Sequence, residues 1–117
     1  MATEAEALKV ERLLSGMRES ARPHAIAKSE RVYLEQYRKS KKAILMIEAE
    51  QKGIKTVSER ECYAYAHEDY IQLLVALSAA TEKEELHKTI IEGCRLSVAL
   101  YQTTQANERA ERKAYGA

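Results

Sequence analysis

The sequence contains no Trp and no Phe, and its 117 residues include only one Pro and four Gly. So few turn-forming residues argue against a chain built from many short strands and tight turns. The abundance of Ala, Glu, Lys, Leu and Arg instead favours α-helix. Because Trp and Phe are missing, any core must be thin. We therefore expect an all-α fold. Because its core is thin, we expect a second copy of the chain to complete that core in a dimer.

Long apolar runs are also missing. The longest run is about four residues, whereas a transmembrane helix needs about 20. The first six residues are acidic, unlike the basic and then apolar start of a signal peptide. Cys62 and Cys94 lie far apart with no CxxC motif, which predicts free thiols in a reducing compartment. We expect a soluble cytoplasmic protein that does not bind a membrane.

Sequence signals for catalysis are absent as well. The chain has no Gly-rich phosphate loop and no G-x-S-x-G nucleophile motif. His24, His67 and His87 are scattered and show no metal-ligand spacing. The acids within residues 82–85 fit a solvated helix face better than an acid–base pair. We therefore expect no catalytic residue, no metal site, no cofactor and no small-molecule substrate.

Helix boundaries are marked by four local signals. Thr3 to Glu6 and Thr56 to Glu59 match the capping box that opens a helix. Pro23 suits a first helical position and is expected to end or kink the helix before it. Gly53 is the expected end of the helix, because Gly readily adopts the left-handed backbone conformation found at helix ends. The chain is thus predicted to be one helical domain, with helices over residues 1–22, 23–53, 56–66 and 68–113.

Two stripes with alternating spacings of four and three predict that the long helices pack along each other. In the helix over 23–53 the expected packing stripe is Ile26, Glu30, Tyr33, Tyr37, Ser40, Ile44, Ile47, Gln51 and Ile54. In the helix over 68–113 it is Leu73, Leu77, Ala80, Glu84, His87, Ile91, Cys94, Val98, Tyr101 and Gln105. These stripes predict a long antiparallel helical hairpin. The helix over 56–66 should cap its tip, and the N-terminal helix should fold against the C-terminal half of the last helix.

Charge is nearly balanced overall, at +1, but it is unevenly distributed. Residues 22–55 are basic and residues 56–92 are acidic. The predicted binding residues form a basic stripe, which we expect to point outward: Arg31, Arg38, Lys39, Lys41 and Lys42. Such a stripe is suited to nucleic-acid phosphates, to another protein chain, or to neutralisation by the acids within residues 82–85 across the hairpin.

Three apolar residues lie beside the basic stripe in the predicted helix. Leu34, Leu45 and Met46 are expected to be exposed there. Exposed apolar side chains mark contacts with a partner. We therefore expect them to contact another protein, most simply a second copy in a homodimer.

Three segments resemble a group of small helical proteins that tailed bacteriophages and prophages encode. These are residues 31–46 (RVYLEQYRKSKKAILM), 64–74 (AYAHEDYIQLL) and 102–112 (QTTQANERAER). The resemblance implies an accessory protein in the cytoplasm of a bacterial host, linked to DNA replication or recombination. It implies no catalytic residue. Residues 1–25 lie outside it.

These observations lead to three functional hypotheses. The first is a non-enzymatic phage accessory or adaptor protein that acts by protein–protein interaction. The alternative is a protein that binds nucleic acid directly through the basic stripe. A second alternative is a structural component of an assembly.

Overall fold

A computed structural model describes residues 3–116, and within them it contains three helices and no strand. These are α1 (Glu4–Gln51), α2 (Val57–Ala66) and α3 (Glu68–Ala114). The helices α1 and α3 are the arms of an antiparallel hairpin, and α2 lies between them at the tip. The predicted all-α hairpin is confirmed. Residues 1, 2 and 117 lie outside the described part of the chain.

The prediction of a separate helix over residues 1–22 is wrong, because α1 continues through Pro23. Pro removes one hydrogen-bond donor from a helix and costs about 3 kcal/mol in its interior. Ser20, which precedes Pro23, and Ala27, which follows it, are both buried. Tertiary packing therefore holds the helix together across the Pro, which the local signal alone does not reveal.

Both ends of α1 follow the sequence signals. The Glu6 N–H donates to Thr3 Oγ1 at 3.1 Å, and the Thr3 N–H donates to Glu6 Oε2 at 3.0 Å. This reciprocal pair is the predicted capping box. At the other end Gly53 has a φ of 89°. The Ile54 N–H donates to the Ala49 carbonyl, and the Gly53 N–H donates to the Glu50 carbonyl. These two bonds form a Schellman motif, which satisfies the last carbonyls of the helix.

The short helix α2 is bounded by Thr56 and His67. Thr56 Oγ1 accepts from the Glu59 N–H at 3.2 Å, as the second capping pattern predicts. His67 has an extended backbone with a ψ of 139° and separates α2 from α3. Its Nδ1 accepts from the Asp69 N–H at 3.0 Å. His67 therefore caps the start of α3 with its own imidazole, in the way that an Asn or Asp side chain does.

The chain divides into two compact units. The tip unit comprises Ala25–Glu84, and the terminal unit comprises Met1–His24 together with Glu85–Ala117. The centre of the tip unit is a small cluster of Leu45, Ala64 and Tyr70, with Met46 packed against it. Leu45 is only 1% exposed. Because α2 contributes Ala64 to this cluster, the tip helix is part of the core.

In the terminal unit, the start of α1 lies against the end of α3. A Cβ atom added to Gly16 would lie 3.4 Å from Cys94 Sγ, so the two helices approach closely there. Further along, a cleft of about 310 Å³ remains between them, lined by Val10, Leu13 and Tyr101 among others. The expected packing of the N-terminal segment on the end of α3 is confirmed. The cleft shows how thin the core is without large aromatic side chains.

The packing stripe predicted for α3 is confirmed at every position. All ten residues from Leu73 to Gln105 in that stripe are buried or half-buried. One of them, Glu84, is a carboxylate that is only 8% exposed. A buried carboxylate is stable only when a cation or several donors accompany it. This requirement determines which face of α1 meets α3.

Candidate functional site

The face of α1 that was predicted to pack against α3 is exposed instead. Tyr33 is 64% exposed, Ile26 56%, Ile47 55% and Ile44 51%. The buried positions of this part of α1 are Ala27, Leu45 and Ala49. The predicted packing stripe is therefore wrong. The face that α1 buries is rotated about the helix axis by about a third of a turn from that stripe.

The basic stripe lies on the side that was expected to face solvent, but that side is turned into the hairpin. Arg31, Arg38, Lys41 and Lys42 are half-buried, and only Lys39 is exposed. The expected outward orientation of the stripe is therefore wrong for four of its five residues. The physical reason is that small residues on this face, such as Ala27 and Ala49, let the helices approach, while the long cations reach acids on α2 and α3.

Arg31 is the centre of this arrangement. Its Nε and Nη2 donate to the two carboxylate oxygens of Glu84, the latter at 3.1 Å, and its Nη1 donates to Glu35 Oε1 at 3.0 Å. The hydrogen bonds with Glu84, and then with Glu35, raise the pKa of Arg31 above its ordinary value. A forked guanidinium that binds two oxygens of one carboxylate fixes geometry as well as charge. The pair therefore sets the register of α1 against α3.

Two lysines bind acids nearer the tip. Lys41 Nζ lies 3.3 Å from Asp69 Oδ2, and Lys42 Nζ lies 3.5 Å from Glu61 Oε1. Lys42 also sits over the ring of Tyr65, 4.9 Å from its centroid. The Tyr65 side chain, and then Glu61, raise the pKa of Lys42. Both lysines therefore contact acidic partners within the tip unit.

The acids that neutralise the basic stripe are mostly not those that the sequence indicated. Of the acids within residues 82–85, only Glu84 binds a stripe residue, Arg31. The lysines of the stripe bind Glu61 on α2 and Asp69 at the start of α3 instead of the other acids within residues 82–85. The tip unit as a whole contains ten Lys or Arg and ten Asp or Glu. Its charges are balanced, so it presents no net positive field to a polyanion.

Two members of the basic stripe remain without an acidic partner. Among the described residues, Arg38 and Lys39 form no ion pair. Arg38 is half-buried and Lys39 is exposed. These two are the cations that a phosphate or an external carboxylate can reach.

The apolar residues predicted to contact a partner are turned inward as well. Leu45 is in the core cluster, and Met46 packs against it. Leu34 is half-buried. The expectation that these three are exposed is wrong, because they share a side of α1 with the inward cations. Leu45 in particular has no surface to offer to another chain.

The exposed side of α1 carries a strip of uncharged residues bordered by Glu30, which we call the outer stripe. It comprises Ile26, Ser29, Tyr33, Gln36, Tyr37, Ser40, Ala43, Ile44 and Ile47, all of them exposed. Tyr33 and Tyr37 stack on each other, with ring centroids 5.9 Å apart and planes 7° from parallel. In a chain that is 32% charged, nine exposed uncharged residues along one face are a distinct surface.

The outer face of α3 in the tip unit is a weaker candidate. Ile71 and Val75 are exposed there, at 42% and 59%. On a helical wheel Glu68 and Glu82 lie on the same line as these two residues, one at each end. The apolar segment of α3 is therefore shorter and bounded by acids, whereas the outer stripe of α1 extends over about six turns.

One sequence signal identifies the correct face of α1. Glu84 lies in the middle of the α3 packing stripe, where a lone carboxylate is unstable. The facing side of α1 must therefore supply a cation at that level, and Arg31 does so. Only the side of α1 with the basic stripe meets this requirement. The more apolar side, which includes Tyr33 and Ile44, therefore faces outward.

Comparison of the chain with protein-family models, with curated proteins and with solved structures gave no match. Two searches of residues 3–116 also gave negative results. No group of three His, Cys, Asp or Glu side chains there could hold a metal ion. No helix in that range is long and apolar enough to cross a membrane.

Proposed function

We propose that the protein is a non-enzymatic adaptor that binds other proteins through the outer stripe of α1. The observation that carries this proposal is the exposure of Tyr33, Tyr37 and Ile44 in one strip of uncharged residues. Exposed apolar and aromatic side chains in one contiguous patch are typical of protein interaction sites. Tyr is suited to such a site because it contributes a large rigid surface together with a hydroxyl group.

The state of the cations also favours a protein partner over nucleic acid. Binding to phosphates releases counterions only from cations that are free to pair with them. Arg31, Lys41 and Lys42 already bind carboxylates within the tip unit. A nucleic acid would have to replace those contacts before it could bind any of these three cations.

The resemblance to small phage and prophage proteins suggests where such an adaptor acts. The proposal is that the partner belongs to the DNA replication or recombination machinery of a bacterial host. The exposed residues of the resembling segment 31–46 include Tyr33 and Tyr37. The adaptor would therefore contact its partner through the same segment on which the resemblance rests.

A capture experiment tests this function. The immobilised chain is exposed to nuclease-treated bacterial lysate, alongside the variants Tyr33→Glu and Val75→Glu. Both positions are exposed, so both variants should fold, but only Tyr33 lies in the outer stripe. We expect the same protein to be retained by the wild type and by Val75→Glu and to be lost with Tyr33→Glu. Equal retention by the wild type and both variants, or capture only from a parallel lysate that was not treated with nuclease, would contradict the proposal.

Direct binding of nucleic acid is the second candidate, because Arg38 and Lys39 have no ion pair among the described residues. Its test is binding to labelled single-stranded and double-stranded DNA at about 50 mM salt, where phosphate contacts are strong. The adaptor proposal predicts no binding. If binding appears and weakens steeply with salt, the double variant Arg38→Glu/Lys39→Glu should abolish it.

A further inference from the structure

The outer stripe has the spacing of a coiled-coil seam. Six of its residues, together with Glu30 at its edge, form a line with steps of four and three residues in turn: Ile26, Glu30, Tyr33, Tyr37, Ser40, Ile44 and Ile47. All seven residues are exposed. A seam with this spacing fits along a second helix, since each side chain enters a gap between residues of the facing helix. The hairpin itself supplies no helix on this side.

We propose that a second copy of the chain covers this seam, with the two α1 helices antiparallel. The inference rests on the proposed function, because it uses the same outer stripe as a binding surface, which a second copy and a captured protein therefore occupy in turn. In this arrangement Ile26 of each copy lies level with Ile44 of the other, and Tyr33 lies level with Tyr37. The twofold axis passes near residue 35, and both copies use the same surface, as a closed dimer requires.

The composition of the layers selects this register. With the axis near residue 35, the layers are Ile26 with Ile44, Tyr33 with Tyr37, and Glu30 with Ser40, each occurring twice. Polar side chains then meet polar ones, and apolar side chains meet apolar ones. A shift by one layer would instead set Glu30 against Ile47, which buries a carboxylate beside an apolar group.

A parallel pair is disfavoured by the same seam. Parallel helices in register set each residue beside its own copy, so the two Glu30 carboxylates would face each other. Like charges at close range repel. The antiparallel pair avoids this contact because the two Glu30 side chains lie on opposite sides of the axis.

Charge complementarity at one edge of the seam supports the antiparallel pair. Glu30 and Lys41 lie on the same edge of the helical wheel. The twofold axis brings Glu30 of one copy level with residues 40 and 41 of the other. Glu30 forms no ion pair among the described residues. Lys41 binds Asp69, which is itself exposed, and an ammonium group has three donors to share. Two Glu30–Lys41 pairs therefore form across the dimer.

The opposite edge of the seam permits close approach. Ser29, Gln36 and Ala43 lie there, and none is charged. The contact is nevertheless small. It extends over about 32 Å of helix, and its nine residues per copy are fewer than the roughly 20–30 of a standard interface. We therefore expect a dissociation constant on the order of 10 µM rather than in the nanomolar range.

Sedimentation equilibrium of the full chain tests the dimer, between about 5 and about 500 µM to bracket this constant. We expect a monomer–dimer equilibrium. Tyr33→Glu should weaken association by at least roughly 100-fold, because the dimer would bury an unpaired charge. Val75→Glu should leave it unchanged, and far-UV circular dichroism checks that both variants fold. A monomer mass for the wild type at the highest concentration overturns the proposal, and so does undiminished association of Tyr33→Glu.

Two measurements test the arrangement within the dimer. Glu30→Lys should weaken association, and Glu30→Lys combined with Lys41→Glu should restore it. A nitroxide label at Glu50→Cys, in a chain with Cys62→Ser and Cys94→Ser, measures the register. The proposed dimer separates the two labels by about 45 Å along the helix axis, and a one-layer shift gives about 35 or about 55 Å, depending on its direction. A distance near 10–15 Å, as in a parallel pair, overturns the arrangement.

The dimer and the adaptor function can fail separately. If the wild type is monomeric while Tyr33→Glu still loses the captured protein, the dimer is rejected and the adaptor function stands. If the wild type dimerises as described while all variants capture the same proteins, or none, the adaptor function is rejected and the dimer stands.

Discussion

The two arms of the tip unit bury different kinds of face. On α3, the buried face is the apolar stripe that includes Leu73 and Ala80, interrupted by Glu84. On α1, the buried face combines Leu45 and small residues with cations, whereas the apolar and aromatic residues of the outer stripe lie outside. The comparison shows that a helix does not always bury its most apolar face. It buries the face that fits the helix opposite.

Rotating α1 so that Tyr33, Tyr37 and Ile44 were buried would destabilise the fold at Glu84. Arg31 would move away from Glu84, and the hydroxyl-bearing rings of Tyr33 and Tyr37 would replace it. A buried ionised carboxylate that loses its cation is destabilised. The apolar area gained would be partly offset because the ends of both Tyr side chains also need hydrogen-bond partners. The observed rotation keeps the carboxylate paired and leaves the Tyr hydroxyls in water.

The largest effect is expected from adjacent residues on the two faces of α1. Leu45→Ala removes the one large, fully buried side chain of the core cluster and should cost about 3 kcal/mol of unfolding free energy. Ile44→Ala, next to it in sequence but 51% exposed, should change that free energy by less than about 0.5 kcal/mol. Urea unfolding at low micromolar protein concentration, where any dimer is dissociated, measures both.

Comparing the stability losses of Leu45→Ala and Ile44→Ala tests which face of α1 is buried. If the two costs were equal, α1 would have no preferred face. If Ile44→Ala were the more destabilising, the helix would be rotated to bury the apolar seam, and the basic stripe would point to solvent.

A smaller loss is expected from Arg31. Arg31→Ala leaves the buried Glu84 without its forked partner, whereas Lys39→Ala changes an exposed side chain without an ion pair. The first substitution should lower the urea midpoint, and the second should not. The loss should remain below that of Leu45→Ala, since water reaches the partly exposed Arg31 site. Arg31→Lys should recover only part of the stability, because an ammonium cannot bind both oxygens in the same way. Equal midpoints for Arg31→Ala and Lys39→Ala would show that the ion pair does not orient α1.

The tip helix α2 packs against the buried face of α1 through Ala64. Two Thr substitutions, one at the N-cap of α2 and one within α3, measure how much α2 contributes to stability. Thr56→Ala removes the acceptor for the Glu59 N–H and should cost about 1 kcal/mol. Thr81→Ala removes only a bond to the Leu77 carbonyl within α3 and should be neutral or slightly stabilising. Thermal unfolding of both variants measures the difference. A neutral Thr56→Ala would mean that α2 contributes little to the core around Leu45.

Sequence patterns predicted those features that depend on local chemistry. The capping box at Thr3 and the stop at Gly53 each involve residues close in sequence, and both are present. The α3 packing stripe was predictable because its apolar residues follow one continuous line. The passage of α1 through Pro23 was not predictable in this way, because packing of distant residues outweighs the local cost.

The face of α1 was mispredicted because two stripes compete on one helix. The stripe with Tyr33 and Ile44 is more apolar, and apolar spacing alone favours it. The choice depends on Glu84, which is 53 residues away from Arg31 in sequence. A prediction that paired the buried carboxylate of one helix with a cation on the other would have found the correct face. The candidate binding surface follows from that choice, since it is the face left over.

The smallest effect concerns the outer face alone. If two copies pair through the outer stripe, native chains are stabilised by association, and the melting temperature rises with protein concentration. Between about 5 and about 100 µM the gain should be less than about 1 kcal/mol per chain, which corresponds to a few degrees. Tyr33→Glu should remove this dependence, and its melting temperature should match that of the dilute wild type, because an exposed side chain contributes little to the fold of one copy. Lys39→Glu, which changes charge beside the seam without entering it, should retain the full dependence. An identical slope in all three proteins would place the association on another surface and leave the outer stripe to a different partner.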